Sequence, residues 1–434
     1  MATTYLSRTS GTPTDSKKTT LSVWLKRSGL GTGTFFGGGA DSNNMTFINF
    51  NPNGKIFLQS SSSGSNTLVF VTTQVFRDTS AWYHIVVAID TTQGTASNRV
   101  KLYVNGVQVT VFDTETQPSQ NLELEWNKSG KTLEIGKYLF QSTYSLYDGS
   151  MSYVSFVDGT QELPTVFGET DSTTGEWKIK TDITPSVAWG NNGFLILKNG
   201  NSLTDESSNS NNFTLGGGTL TETKDCPDNV FCVLNDLDTT RVLSNGNTTY
   251  AGDASGTVVK GTLGMLSGKY YAECKILSAA QNMIGVLSIA QAPTTVFVGA
   301  SAVGWGLFGD GTLYNNSSAT SNFSNSFSDN DIMGIALDMD NNKLYFSKNG
   351  VWQNSGDPTS GATGTGAVSI TSGLTMTFSG GRDSASDTAD FNFGNGTFGT
   401  TAIASAGTNA SNNGVFEYDV PTGYTALSTK GLNL

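Results

Sequence analysis

The chain has 434 residues, a net charge of −12 and only 14% charged residues, against ~25% in an average globular protein. Its acidity excludes a general nucleic-acid or anionic-membrane binder, because the densest basic spots are only Lys17-Lys18 and Lys26-Arg27. Its 51 Gly beside 24 Phe, 14 Tyr and 7 Trp exclude a helical and a disordered chain alike, since turns abound and aromatic residues suffice for cores.

The length sets an expectation of two or three domains. The N-terminal "MATTYLSRTSGTPTDSKK" has no apolar core of the kind a secretory signal needs, which points to synthesis in the cytosol. Apolar runs such as 81–89 have strand length and fall far short of a membrane span. Short, often alternating segments then follow: "LSVWLKR" (21–27), "MTFINF" (45–50), "KIFLQS" (55–60), "TLVFVTT" (67–73), "WYHIVVAID" (82–90), "RVKLYV" (99–104), "VQVTVF" (107–112), "KTLEIGKY" (131–138) and "MSYVSFVD" (151–158). Each is bounded by Gly, Asn, Asp or Ser, and this spacing predicts an antiparallel sandwich or jelly roll over 1–160. "LPTVFGE" (163–169) fits one short helical turn started by Pro164. Residues 161–240 are less regular, with Ser/Asn/Gly-rich tracts, but Trp189 and "GFLILK" (193–198) are apolar enough to pack. This stretch reads as a connector that docks on the first domain or closes it.

A second module runs over 241–434, with strands "KYYAECKI", "MIGVLSI", "VGWGLF", "TLYN", "DIMGIALDM", "KLYFSK", "VWQN", "LTMTFSG" and "ADFNFG". The fold class expected is all-β: two antiparallel sandwiches joined by an irregular connector. One construction occurs in both modules. "WYHIVVAID" leads to "RVKLYV", Asn105-Gly106 and "VQVTVF"; "DIMGIALDM" leads to "KLYFSK", Asn349-Gly350 and "VWQN". Asn-Gly favours a type I′ turn, which needs positive φ at both central residues. The period of two places Leu102 and Val104 on the core face and Lys101 and Tyr103 on the other, with Leu344 and Phe346 opposed to Lys343 and Tyr345.

Residues 21–160 resemble a laminin-G-like, concanavalin A-type module through "LSVWLKR", "WYHIVVAIDTT", "RVKLYVNGVQV" and "YDGSMSYVSFVDGTQEL". Residues 268–430 resemble a SPRY module through "GKYYAECKI", "VGWGLFGDGTLYNN", "DNDIMGIALDMDNNKLYFSKNGVWQN", "FNFGNGTFG" and "PTGYTAL". Both families are antiparallel sandwiches. The order of the modules, with "GETD", "DESSNSNNFT" and "DCPDNVFCVLNDL" between them, resembles structural proteins of tailed phages. That resemblance implies a non-enzymatic fibre, head decoration or adhesin on the virion surface. Its partners would be other virion proteins and a host-surface glycan or protein, with no nucleic acid and no membrane insertion. A closed homo-oligomer is the default for a virion appendage, although no heptad pattern supports a coiled coil. Two alternatives stand beside it: a concanavalin-type glycan-cleaving enzyme, and an intracellular SPRY-type protein-binding module.

Chemistry-bearing residues are sparse. A glycosidase needs two carboxylates across the scissile bond. The nearest pair is Glu123 and Glu125 in "LELEWNK", read as one face of a strand, with Leu124 where the glucanase pattern has an acid. A Ser-His-Asp triad would have to use His84, the only histidine, inside an apolar strand and without G-x-S-x-G. "GTGTFFGGG" (31–39) and "LGGGT" (215–219) lack the phosphate-loop pattern and read as turns or loops. Cys226, Cys232 and Cys274 are too few for a disulfide framework; a Cys226–Cys232 bridge is open, and Cys274 reads as a small core residue. No cofactor follows from the residues themselves. The resemblance implies calcium, with Asp41, Asn43, Asp148 and Asp158 as candidate ligands, though no EF-type loop is present. For a ligand, Trp305, Tyr314 and Trp352 lie in stretches that flank the binding surface of SPRY modules, and core packing is the competing reading for each tryptophan. Tyr103 and Tyr345, on the non-aliphatic faces, are expected to be exposed or to cover an oligomer contact or neighbouring domain.

Overall fold

The computed structural model describes residues 4–137, 146–253, 257–279, 281–292, 297–382, 384 and 386–433. It divides into two compact units, Met1–Leu220 and Thr221–Leu434. The stretch read as a connector is therefore divided at Leu220. Its apolar residues decide the division: Trp189, Phe194 and Leu195 are buried in the first unit, and Phe231, Cys232 and Leu234 in the second.

Among the described residues, the first unit is an antiparallel sandwich of two sheets. One has eight strands in the spatial order Phe112–Thr116, Ser65–Thr72, Ile56–Ser62, Asn44–Phe50, Gly33–Asp41, Thr132–Ile135, Tyr5–Thr9 and Thr214–Gly217. The other has six: Phe194–Ile196, Gly149–Asp158, Lys18–Arg27, Trp82–Asp90, Val100–Val104 and Val107–Gln108. Their inward residues, among them Leu21, Val23, Ile48, Leu58, Val87, Leu102 and Phe156, form one core. The second unit repeats the plan. A larger sheet is centred on Lys269–Ser278, Ile332–Asp338 and Lys343–Lys348, and a six-stranded one on Met376–Gly380, Met283–Ser288 and Gly304–Phe308. Ala272, Cys274, Leu344, Phe346 and Phe391 lie in the core between them.

Several local expectations are corrected. "GTGTFFGGG" is not a loop: Gly33–Asp41 is an interior strand of the eight-stranded sheet. A Cβ at Gly38 would come within 2.6 Å of the Leu133 side chain, so close strand packing requires the missing side chain. "LGGGT" contributes the edge strand Thr214–Gly217. "LELEWNK" is not a strand; Glu125–Asn127 is a 3-10 turn. "VQVTVF" splits into a two-residue strand, Val107–Gln108, and part of Phe112–Thr116 in the opposite sheet. The three cysteines are free, and Cys232 and Cys274 are buried.

Each unit also carries a second, smaller core on the outer face of one sheet. In the first, Val86, Ala88 and Tyr103 pack with Phe167, Ile183, Val187 and Trp189, so a segment following the sandwich strands lies across the six-stranded sheet. In the second, Tyr271, Ala336 and Tyr345 pack with Phe416, Val420 and Tyr424 from near the chain's end. An outward face rich in Tyr and Ala would otherwise leave apolar area in water, at ~25 cal/mol per Å².

Candidate functional site

The two Asn-Gly hairpins are built from the same parts. Asn105 and Gly106 have φ of 47° and 78°, and Asn349 and Gly350 have φ of 48° and 80°, the left-handed pair a type I′ turn demands. In the first, the amide of Asn105 donates to the carbonyl of His84 at 2.8 Å, and the Asn105 side-chain oxygen accepts from the His84 amide at 2.8 Å. In the second, Asn349 makes the same two bonds with Ile332, at 2.8 and 2.9 Å. An aromatic ring from the covering segment lies over each glycine: a Cβ at Gly106 would sit 2.5 Å from the Trp177 ring, and one at Gly350 would sit 2.7 Å from the Tyr418 ring. The second strand carries two more residues between Lys-Leu-Tyr and Asn-Gly, "SK". Two is one full strand period, so Tyr103 and Tyr345 keep the same outward face.

That face is not solvent. Tyr103 is 6% exposed and Tyr345 1% exposed, each beneath the covering segment of its own unit. The expectation of exposure fails because an alternation pattern identifies a second face without saying what lies on it. Trp305 is also buried, in the main core of the second unit. Of the five candidate ligand residues, Tyr314 and Trp352 are half-buried. Tyr314 meets Phe297 and Phe308 edge-on, with centroids at 5.8 and 6.4 Å. Trp352 meets Tyr271 and Tyr345 and follows the exposed Val351.

The calcium candidates are not brought together. Asp148 and Asp158 flank the ten-residue strand Gly149–Asp158 at opposite ends, ~30 Å of extended chain apart. The carboxylate of Asp158 is buried and filled by four N–H donors: Thr14 and Asn192 amides at 2.7 and 3.0 Å, the Asp15 amide at 3.2 Å and the Asn127 side chain at 2.8 Å. A carboxylate whose lone pairs are so engaged has none left for a cation. Asp41 and Asn43 share an exposed turn in which Asp41 accepts from the Asn43 amide and the Asn44 side chain. Among the described residues, no group of three or more His, Cys, Asp or Glu could hold a metal.

The catalytic candidates are likewise engaged. Glu125 is buried and paired with Lys128 at 2.5 Å, while Glu123 is exposed and accepts from Ser16. His84 is fully buried between Trp24, stacked at 4.6 Å, and Trp177 at 5.9 Å. Its Nδ1 accepts the indole N–H of Trp177 at 2.9 Å, so the ring proton sits on Nε2 and faces Ser22 Oγ at 2.8 Å. Burial pushes the imidazole down to about 3. A base that weak does not take a serine proton, and an indole stands where a triad has its carboxylate.

The sequence reading did not single out Glu273, the acid that anchors the covering segment of the second unit. It is buried on Lys269–Ser278 and accepts four hydrogen bonds, two of them from the Glu417 and Tyr418 amides at 2.8 Å. The available signal was an acid inside "YYAECKI", a strand whose only other charged residue is Lys275. Trp177 and Tyr418 carried no local signal, because their partners are glycines and a histidine distant in sequence.

Two antiparallel sandwiches, each with one outer sheet face covered, define a protein of the all-β sandwich class. Residues 2–159 match the laminin-G-type family model described as the concanavalin A-like lectin/glucanases superfamily, and residues 269–394 match the SPRY domain model. The chain thus carries a concanavalin A-like module followed by a SPRY domain. Among solved structures it is similar to the SPRY domain of human HERC1, at 16% identity and a TM-score of 0.30, covering 36% of this chain and 96% of that one. It is similar to the TRIM65 PSpry domain at 14% and 0.30, covering 37% and 91%. A heptameric SAP-like pentraxin from Limulus polyphemus matches at 18% and 0.28, covering 37% and 71%. No curated protein matches the chain.

Proposed function

We propose that this chain is a non-enzymatic surface protein of a tailed-phage particle, a fibre, head decoration or adhesin, whose modules bind a host-surface glycan or protein. It would be made in the host cytoplasm, assemble with other virion proteins and present its sandwiches as a homo-oligomer. The observation that carries the reading is the engagement of the chemistry-bearing side chains. His84 is sealed between two indoles and Glu125 is paired with Lys128, while Tyr314 and Trp352 are only half-buried. Such an arrangement favours recognition over bond cleavage. The virion placement rests on the likeness of the module order to phage structural proteins.

The test is a binding and hydrolysis panel with the purified chain, using bacterial surface glycans, marine polysaccharides and whole cells. The expected result is retained binding with no new reducing ends, weakened about 10-fold by Trp352→Ala or Tyr314→Ala through loss of a stacking contact. Release of sugar that disappears in Glu123→Gln would establish the glycan-cleaving alternative instead.

A further inference from the structure

The outer face of the second unit's larger sheet carries a continuous row of paired residues: Asn392, Glu273, Gly334, Ser347 and Trp352, each opposite the next on adjoining strands. A parallel row holds Tyr271, Ala336 and Tyr345. Residues 415–424 lie over both. The Phe416 ring meets Tyr271 at 5.1 Å, and Val420 and Tyr424 complete the apolar contact. The polar attachment is concentrated on one carboxyl. Glu273 Oε2 accepts from the Glu417 amide at 2.8 Å and the Asn392 side chain at 3.2 Å; Oε1 accepts from the Tyr418 amide at 2.8 Å and the Tyr271 hydroxyl at 3.2 Å. Asn392 also donates to the Val415 carbonyl at 2.9 Å.

We propose that Glu273 is a proton-operated latch that sets how tightly residues 415–424 are strapped to this sheet. The groups facing it are few. Tyr271 comes from its own strand, Gly334 and Asn392 from the two neighbouring strands, and Glu417 and Tyr418 from the strap. Lys348 and Asp331 pair with each other at 3.0 Å, and the Asp331 charge acts on the Tyr418 phenol. Among the described residues, no Lys, Arg or His pairs with Glu273. A fully buried carboxyl without a cation binds its proton more tightly, and burial pushes Glu273 up to about 7 against the opposing pull of its four donors. Of those four, only the Tyr271 hydroxyl can turn from donor to acceptor, so the protonated Oε1 donates to it while the three N–H bonds stay in place. Lifting the strap admits water and returns the group toward its ordinary value of 4.5. Between these values the closed form holds a proton that the open form lacks, so rising pH favours opening.

The experiment is hydrogen exchange of the full chain at pH 5 and pH 8, read over Glu417 and Tyr418 and corrected for the intrinsic pH dependence of exchange. Protection is expected to fall on the order of 100-fold from pH 5 to pH 8, with amides of Ile332–Asp338 unchanged. In Glu273→Gln the ratio between the two pH values should collapse to near one. Phe416→Ala, which loosens the strap without touching the carboxyl, should raise exchange at both pH values and keep the wild-type ratio. This second variant serves if Glu273→Gln does not fold. Equal protection at pH 5 and 8 in the wild type, or an unchanged ratio in Glu273→Gln, would overturn the latch.

Discussion

The indole N–H of Trp177 donates to Nδ1 of His84 at 2.9 Å, and the same indole ring fills the space over Gly106. One side chain from the covering segment thus fixes both the tautomer of the only histidine and the tip of a core hairpin. Tyr418 plays the second of these roles at Gly350 in the other unit.

Trp177→Phe keeps most of the ring but leaves Nδ1 of a buried imidazole without its donor. The expected cost is ~1–2 kcal/mol, the penalty for an unsatisfied buried acceptor. Chemical denaturation followed at the first unit should show it, with the transition of the second unit unchanged.

His84 makes a definite pH dependence. Its folded value of about 3 lies below the ordinary 6.5, so between these values the unfolded chain binds a proton that the folded chain does not. Its contribution to stability is complete above pH 6.5 and is lost as pH falls toward 3, at ~1.4 kcal/mol per pH unit. The stability advantage of wild type over His84→Gln should therefore shrink by about 3 kcal/mol between pH 7 and pH 4, measured by urea unfolding at each pH.

Gly106→Ala and Gly350→Ala should each cost ~2 kcal/mol or more, from the left-handed backbone and from collision with the ring above. The two causes separate in a double variant. Gly106→Ala in a Trp177→Ala background retains the backbone cost and loses the collision, so the substitutions should couple favourably in a thermal-unfolding cycle.

Asp158→Asn replaces a carboxylate that accepts four N–H bonds with an amide that can offer one oxygen. A loss of ~2–4 kcal/mol is expected. Because its lone pairs are occupied by nitrogen donors, adding calcium should not restore the variant and chelation should not mimic it. Differential scanning calorimetry with calcium or EDTA reads both outcomes.

Much of the fold was legible because alternation and Asn-Gly are local signals. The strand Trp82–Asp90, its partner Val100–Val104 and the turn between Lys343–Lys348 and Val351–Trp352 all follow from period two and positive φ. Gly33–Asp41 was not legible: glycine is read as a turn former, and what explains a glycine strand is the close approach of distant chain, such as Leu133 and Trp126 at Gly38. Candidate site residues were harder for a related reason. The pattern placed Tyr103 and Tyr345 on the outward face correctly, but their burial is set by Trp189 and Phe416, more than 70 residues away in each case. Asp158 looked like a loop-edge ligand, and the amides of Thr14 and Asn192 that occupy it come from distant chain.

The proposed function is tested most directly by quantitative mass spectrometry of purified phage particles from a lysate that produces this chain. The account predicts the chain in the particle fraction at a fixed copy number relative to the major capsid protein, retained through density-gradient purification. Its absence from purified particles, with the chain recovered only in the soluble lysate, would contradict the virion assignment.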